Sequence, residues 1–303
     1  MTVAGADRRP QVMFQGERGA YSEDAIVAYW GGRAEPVPAR DCASVAHAVD
    51  AGVADYGVLP IENTLAGSVV ATYDALTDAA GVVVVGEVVL PIHHCLLAPR
   101  GATLRSLAAV ESHPVALAQC RRFLEDNPAI EARAAYDTAG AARAVSERGD
   151  PRCGAIASRA AAERFGLAVI AADIEDRHDN QTRFLVLARS SAVDGAAPAH
   201  DVPARTALLA TTENVPGALL RVLQPLADAG LNLSKIESRP AGTPWTYRFF
   251  LEVDHSAGDA RLDGALETVR AAASSVRVLG TFARGAPNAP VVSRAADDPE
   301  LRR

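Results

Sequence analysis

No Cys-x-x-Cys pair occurs in this chain; Cys42, Cys95, Cys120 and Cys153 stand far apart. That spacing excludes a zinc knuckle and a dithiol redox motif, and it fits a reducing cytoplasm. A basic run is missing too, and a net charge of −7 with a pI near 5.5 removes the electrostatic footprint of a nucleic-acid binder. Long apolar stretches are also absent. Val82 to Val85 is cut short by Gly86 and Glu87, and Met1 to Pro10 carries charges without a run of signal-peptide length. Neither membrane insertion nor secretion is indicated. The loop Glu17-Arg18-Gly19-Ala20-Tyr21-Ser22 leads into a helix, a place where backbone groups meet anions, but it is too poor in glycine for a phosphate loop. His93-His94-Cys95 cannot chelate a metal together, because successive strand residues point to opposite faces. No metal is expected, and His94 reads as a hydrogen-bonded core histidine or a support for a nearby site.

What is present points to two domains. The length is 303 residues and 49% are hydrophobic, enough for a sizeable core in each. From Val12 to Leu187 short apolar runs alternate with amphipathic stretches, the pattern of an α/β layer architecture. Strands are expected at Val12 to Gly16, Tyr56 to Pro60 and Val82 to Leu90, with helices at Tyr21 to Trp30, Cys42 to Ala51 and Ser68 to Ala79. After Pro91 the pattern restarts. Strands at His94 to Ala98, Ala108 to Glu111, Ala132 to Ala135 and Ala155 to Ala157 alternate with helices at Pro114 to Glu125 and Thr138 to Glu147, forming a second lobe. Residues 191–204 lack periodicity and read as a linker. Beyond it Thr206 to Thr212, Ser234 to Ser238, Thr246 to Val253 and Val276 to Ala283 are strand-like, while Gly217 to Ala229 and Leu262 to Ala273 are helix-like. That order is βαββαβ, the α+β ferredoxin-like arrangement of a separate domain over 205–284. Pro216 suits the first turn of its first helix and Gly230 can close it. Residues 1–10 and 285–303 read as a flexible start and a disordered tail.

The run Asn180-Gln181-Thr182-Arg183-Phe184-Leu185-Val186-Leu187 sets a hydroxyl and a guanidinium at the mouth of a strand buried on both faces, a pairing suited to a small anionic substrate. Alone it equally describes a strand edge with a surface arginine. Other segments accompany it in order: Gln15-Gly16-Glu17-Arg18-Gly19-Ala20-Tyr21-Ser22, then Pro60-Ile61-Glu62-Asn63-Thr64 with Gly67 and Ser68, then Ser112-His113-Pro114 with Gln119-Cys120. Together they resemble the prephenate dehydratase family over almost the whole chain. Pro216-Gly217-Ala218-Leu219 and Asn232 to Pro240 resemble the two phenylalanine-binding segments of the ACT regulatory domain that follows the catalytic domain in that family.

The resemblance implies a two-lobed catalytic domain over 11–190, similar to type 2 periplasmic binding proteins. Lobe 1 would span about 11–91 and 181–190 and lobe 2 about 92–180, with crossings near Leu90 to His94 and Asp173 to Asn180. It implies decarboxylative dehydration of prephenate to phenylpyruvate without a cofactor. Arogenate dehydratase shares these motifs, and a non-enzymatic small-molecule sensor is the reading from another class. Thr182 would meet the leaving hydroxyl. Asn63, in the loop after a strand, and Gln119 would anchor substrate, or Asn63 would only close a turn. Ser112, with Pro114 starting the next helix, would lie at a helix N-terminus fit for a carboxylate, or be an ordinary cap. Val115 stands where family members often carry Gln, so that position is left without a role. Arg183 would pair with a substrate carboxylate or with an internal acid such as Glu62. Asn214, Pro216, Gly217, Ala218, Leu219, Glu237, Ser238, Arg239 and Pro240 would bind phenylalanine between two chains, which implies a homodimer or dimer of dimers. No mutase-like helical segment precedes Val12, so a monofunctional enzyme is expected.

Overall fold

A computed structural model describes residues 8–193, 198–242 and 244–285 of the chain. The first lobe is a six-stranded sheet built from β1 (Gln11–Gln15), β2 (Glu35–Ala39), β3 (Tyr56–Asn63), β4 (Gly67–Ser68), β5 (Val82–Pro91) and the returning β11 (Gln181–Arg189). Its order is β2-β1-β3-β11-β5, with β4 paired to β3. β11 lies antiparallel between β3 and β5, which explains why Phe184 to Ala188 are all buried. Helix α1 (Tyr21–Trp30) covers one face; α2 (Cys42–Asp50) and α3 (Val70–Asp78) cover part of the other. Sequence reading missed β2 because Pro36 and Pro38 argue against a strand, but an edge strand tolerates them. Asn63 is the last residue of β3, paired with Thr182, and not part of a following loop.

The second lobe has β6 (Cys95–Ala98), β7 (Ala109–Ser112), β8 (Glu131–Ala134), β9 (Cys153–Ala157) and β10 (Ala168–Ala171) in the order β10-β6-β9-β7-β8. Where a single helix was expected after Ser112, two short ones stand. They are α4 (Pro114–Gln119) and α5 (Arg121–Asp126), separated at Cys120, whose φ of −113° and ψ of 28° break the helical path. α6 (Thr138–Arg148) is capped by Asp137, whose carboxylate accepts from Ala139 N at 2.6 Å. α7 (Arg159–Phe165) and β10 were not foreseen. The chain passes between lobes at 92–94 and again at 172–180, and the crossings are tied by Ile92 N to Asn180 O at 2.8 Å and Ile174 N to His94 O at 3.0 Å.

The third unit contains β12 (Pro203–Thr211), α8 (Ala218–Asp228), β13 (Asn232–Pro240), β14 (Tyr247–Ser256), α9 (Ala260–Ala272) and β15 (Ser275–Ala283), with sheet order β13-β14-β12-β15. This is the βαββαβ fold. Pro203 and Ala204, expected in the linker, already belong to β12. α8 starts at Ala218 with Gly217 as its N-cap at φ 79°, so Pro216 precedes the helix instead of opening it. Of the expected flexible start at 1–10 and disordered tail at 285–303, residues 1–7 and 286–303 lie outside the described residues, while Arg8 pairs with Asp55 at 2.9 Å.

This domain is not separate from the first lobe. Leu208, Ala210, Leu251 and Val253 pack under α8 and α9, while Ala207, Leu209, Phe250 and Phe282 join one core with Leu76, Val82, Val84, Leu185 and Leu187. Both faces of its two central strands, β12 and β14, are therefore buried. The uninterrupted apolar runs Ala207 to Ala210 and Phe249 to Leu251 carried that signal, since a strand with one solvated face alternates. β15 approaches β5 so closely that a Cβ on Gly280 would land on the Val84 carbonyl oxygen.

Candidate active site

β11 and β3 place Thr182 directly opposite Asn63, so both side chains project on the same face. The Asn63 amide is saturated. Its Nδ2 donates to Thr182 Oγ1 at 2.9 Å, Asn180 Oδ1 at 2.8 Å and Gln181 O at 3.1 Å, while its Oδ1 accepts from Leu65 N and Ala66 N at 3.0 and 2.8 Å. Thr182 Oγ1 thus serves as an acceptor inside the protein, and among the described residues no acceptor takes its own hydrogen. Gln119, at the end of α4 in the other lobe, reaches Asn63 Oδ1 with Nε2 at 3.4 Å.

Three more residues complete this cluster: Asn180 and Tyr21, which sequence reasoning did not assign, and His94, read there as a core histidine or a support for a nearby site. Asn180, fully buried at the second crossing, accepts from Asn63 and donates through Nδ2 to Gln119 Oε1 at 3.1 Å, joining the two lobes. The same Gln119 oxygen lies 2.8 Å from His94 Nε2, so that nitrogen carries the proton. His94 Nδ1, left an acceptor, stands 3.0 Å from Tyr21 Oη and shares that single hydroxyl hydrogen with His93 O at 2.7 Å. Burial holds the His94 imidazole below its ordinary 6.5, outweighing the Gln119 bond and the Glu175 charge that favour the cation. Burial likewise pushes the Tyr21 phenol well above its usual value. A buried amide just before a buried strand was the available signal for Asn180.

Other expected site residues sit apart. The Ser112 hydroxyl is fully buried and donates to Ile156 O at 2.6 Å; the cap of α4 is His113, whose Nδ1 accepts from Val115 N. Arg183 points to the opposite face from Thr182. Its guanidinium contacts Glu62 at 3.3 Å, Glu87 at 3.1 Å and Glu252 at 2.8 Å, so the internal pairing is the one formed. Burial opposes its charge, yet Glu252 and Glu87 drive its pKa upward. The Glu17 loop meets an internal anion: Glu17 N donates to Asp137 Oδ2 at 3.1 Å, and Ser158 Oγ donates to Gly19 O at 3.0 Å, bridging the lobes. In the third unit Asn214, Pro216 and Gly217 are exposed before α8, with Ala218 buried and Leu219 half-buried at its start. Ser238 and Pro240 are exposed on β13, while Glu237 accepts from Ser68 at 2.6 Å and Arg239 pairs with Asp74 at 3.0 Å. One metal-compatible group occurs among the described residues, His93, Asp173 and Glu175, whose ligand atoms lie within 4.8 Å of one another. Its shortest contact, 2.9 Å from His93 Nδ1 to Glu175 Oε1, is a hydrogen bond in its own right.

A hydroxyl and two amides meet at the junction of two α/β lobes backed by a ferredoxin-like domain, the architecture of a two-lobed α/β protein with an appended α+β module. Residues 12–192 match the prephenate dehydratase family and 206–271 the ACT domain. The chain belongs to the prephenate dehydratase family, whose chemistry is that of a lyase. It is 39% identical over 295 residues to arogenate dehydratase 2 of Petunia hybrida, covering 92% of this chain and 73% of that protein. It is 36% identical to the bifunctional chorismate mutase/prephenate dehydratase of Neisseria gonorrhoeae, over 93% of this chain and 77% of the relative. The prephenate dehydratase of Arthrobacter aurescens, solved in complex with L-Phe, superposes with a TM-score of 0.83 at 32% identity, covering 96% and 97% of the two chains. A protein described as GqqA, a novel type of quorum quenching acylase, superposes with a TM-score of 0.82 at 32% identity, covering 91% and 98%. No helix among the described residues is long and apolar enough to cross a membrane.

Proposed function

We propose that this chain converts prephenate to phenylpyruvate, or arogenate to phenylalanine, and that free phenylalanine regulates it through the ACT domain. In either reaction the ring carboxylate leaves as carbon dioxide, its electron pair aromatises the ring, and the hydroxyl on the opposite carbon departs with one proton as water. No redox step or cofactor is required. The observation that carries the reading is the Asn63 Nδ2 to Thr182 Oγ1 bond. It occupies the threonine oxygen and leaves the hydroxyl hydrogen for the departing oxygen. A threonine is a weak acid, so its part is to orient and to stabilise developing charge, with full proton transfer a secondary contribution. Asn63, its amide engaged within the protein, orients Thr182, Gln119 supplies a polar anchor from the opposite lobe, and the low-dielectric junction strips water from the departing carboxylate. Ser112 acts from behind by holding the strand end, and Arg183 from the opposite face.

An acylase reading needs a nucleophile paired with a base. The group at Thr182 Oγ1 is an amide, which is no base, so the dehydratase reading is preferred. Asn214 to Leu219 and Glu237 to Pro240 form the proposed phenylalanine site. Val215 and Ile236, 47% and 49% exposed within or beside these segments, suit coverage by a second chain and hence a homodimer or larger even oligomer. Four free, buried cysteines support a reducing compartment such as the cytoplasm. The test is incubation of the purified chain with prephenate and with arogenate separately, watching for phenylpyruvate or phenylalanine. Turnover of neither substrate by the folded chain would overturn the reading.

A further inference from the structure

We propose that Lys235 and Glu252 of the regulatory domain set the catalytic pair through Glu62 and Arg183, which makes these four side chains positioning residues. The proposal rests on the dehydratase reading above and names how regulation reaches that site. On β3 and β11 the Arg183–Glu62 pairing is the rung next to Thr182–Asn63. Adjacent rungs point to opposite faces, so one rung faces the lobe junction and the other faces the regulatory domain.

The rear rung is gripped from outside its own domain. Lys235 Nζ donates to Glu62 Oε1 at 2.7 Å, and Arg183 Nη1 donates to Glu252 Oε1 at 2.9 Å. Lys235 also donates to Ser68 Oγ at 2.8 Å, and Ser68 in turn donates to Glu237 Oε2 at 2.6 Å. Ser68 is the partner of Glu62 in the short β3–β4 pairing, whose other rung is Asn63 with Gly67. The hairpin that carries Asn63 is therefore held by β13, the strand that also carries Glu237 to Pro240. No element intervenes between the proposed effector segment and the back of the catalytic rung.

Charge and burial make the contacts stiff. The side chains of Arg183, Lys235 and Glu252 are 11%, 13% and 7% exposed, so a broken pair leaves a poorly hydrated charge. Burial alone would raise the Glu62 carboxyl, but the Lys235 bond and charge bring it below its ordinary value. Lys235 is the single lysine among 30 basic side chains. A compact ammonium with three donors bridges a carboxylate and a hydroxyl at one point, which a planar guanidinium does not reproduce.

The test is a double-mutant cycle in the full-length chain with Glu62→Gln and Lys235→Met, reading kcat, KM, phenylalanine response and Tm. Each single change should lower kcat about 3- to 30-fold with KM nearly unchanged and should weaken the phenylalanine response. The double variant should be no worse than the poorer single one. Asp74→Asn removes another contact between the domains, on α3, and should lower Tm while leaving kcat intact. Active wild type with single variants that keep kcat and the phenylalanine response, or with effects that simply add, overturns the coupling alone. Wild type that dehydrates neither substrate overturns the functional reading and the coupling with it.

Discussion

Cutting the chain after Val193, which removes the regulatory domain, is predicted to cost the catalytic domain most of its stability. Separate domains would tolerate the cut, but these two share a core. Leu76, Val82, Val84, Leu185 and Leu187 are each 2% exposed or less and pack in the same cluster as Ala207, Leu209, Phe250 and Phe282. Fully exposing such a side chain costs about 1.5–3 kcal/mol; with α2 and α3 still covering part of the face, half-exposing five of them costs about 4–8 kcal/mol. Arg183 and Glu87 also lose Glu252 and Arg205, although water then hydrates them and softens that loss. A domain of this size has about 5–15 kcal/mol in total. The fragment 1–193 should therefore aggregate or melt far below the full-length chain, and loss of activity in it would report unfolding, not regulation. Circular dichroism melts and gel filtration of both proteins decide the matter. A monomeric, active fragment with a cooperative melt within a few degrees of the parent would refute the reasoning.

Thr182→Ala should lower kcat by about 10²- to 10⁴-fold while the fold persists, and Thr182→Ser should keep far more activity because the hydroxyl survives; steady-state kinetics with a melting curve will show either. Asn180→Ala removes the amide joining Asn63 to Gln119, and leaving buried polar atoms unpaired should cost about 1–3 kcal/mol of stability, read by urea unfolding, together with reduced turnover. Burial, with Glu23 and Glu163 nearby, pushes the Asp24 carboxyl from 3.8 to about 7. The folded chain then binds the extra proton, so Asp24 lowers stability as pH rises from about 4 to 7; Asp24→Asn should stabilise the protein by about 2–4 kcal/mol at pH 8 and hardly at pH 4, measured by urea unfolding at both. Gly217→Val places a branched side chain at φ 79°, a conformation it rarely adopts, directly before α8. Calorimetric titration should show weakened phenylalanine binding, and equal binding and inhibition in both proteins would remove this site.

The sequence by itself determined the family and most of the secondary elements in their order, with β2, β4, α7 and β10 missed, and it put forward Thr182, Asn63 and Gln119, because apolar periodicity and short polar motifs are local properties of the chain. It also made Phe184 to Leu187 a doubly buried strand, which the central place of β11 matches. Only tertiary structure decided which side chains meet. Asn180, His94 and Tyr21 join Gln119 from segments up to 159 positions apart, Tyr21 to Asn180, and no local pattern records such a meeting. Arg183 was open between substrate and an internal acid until three carboxylates, one from the regulatory domain, surrounded it. The linker suggested two independent units, yet the face of the ACT sheet opposite its helices packs against lobe 1. A strand's periodicity reveals that both of its faces are buried, but what covers each face is settled only when distant surfaces are brought together.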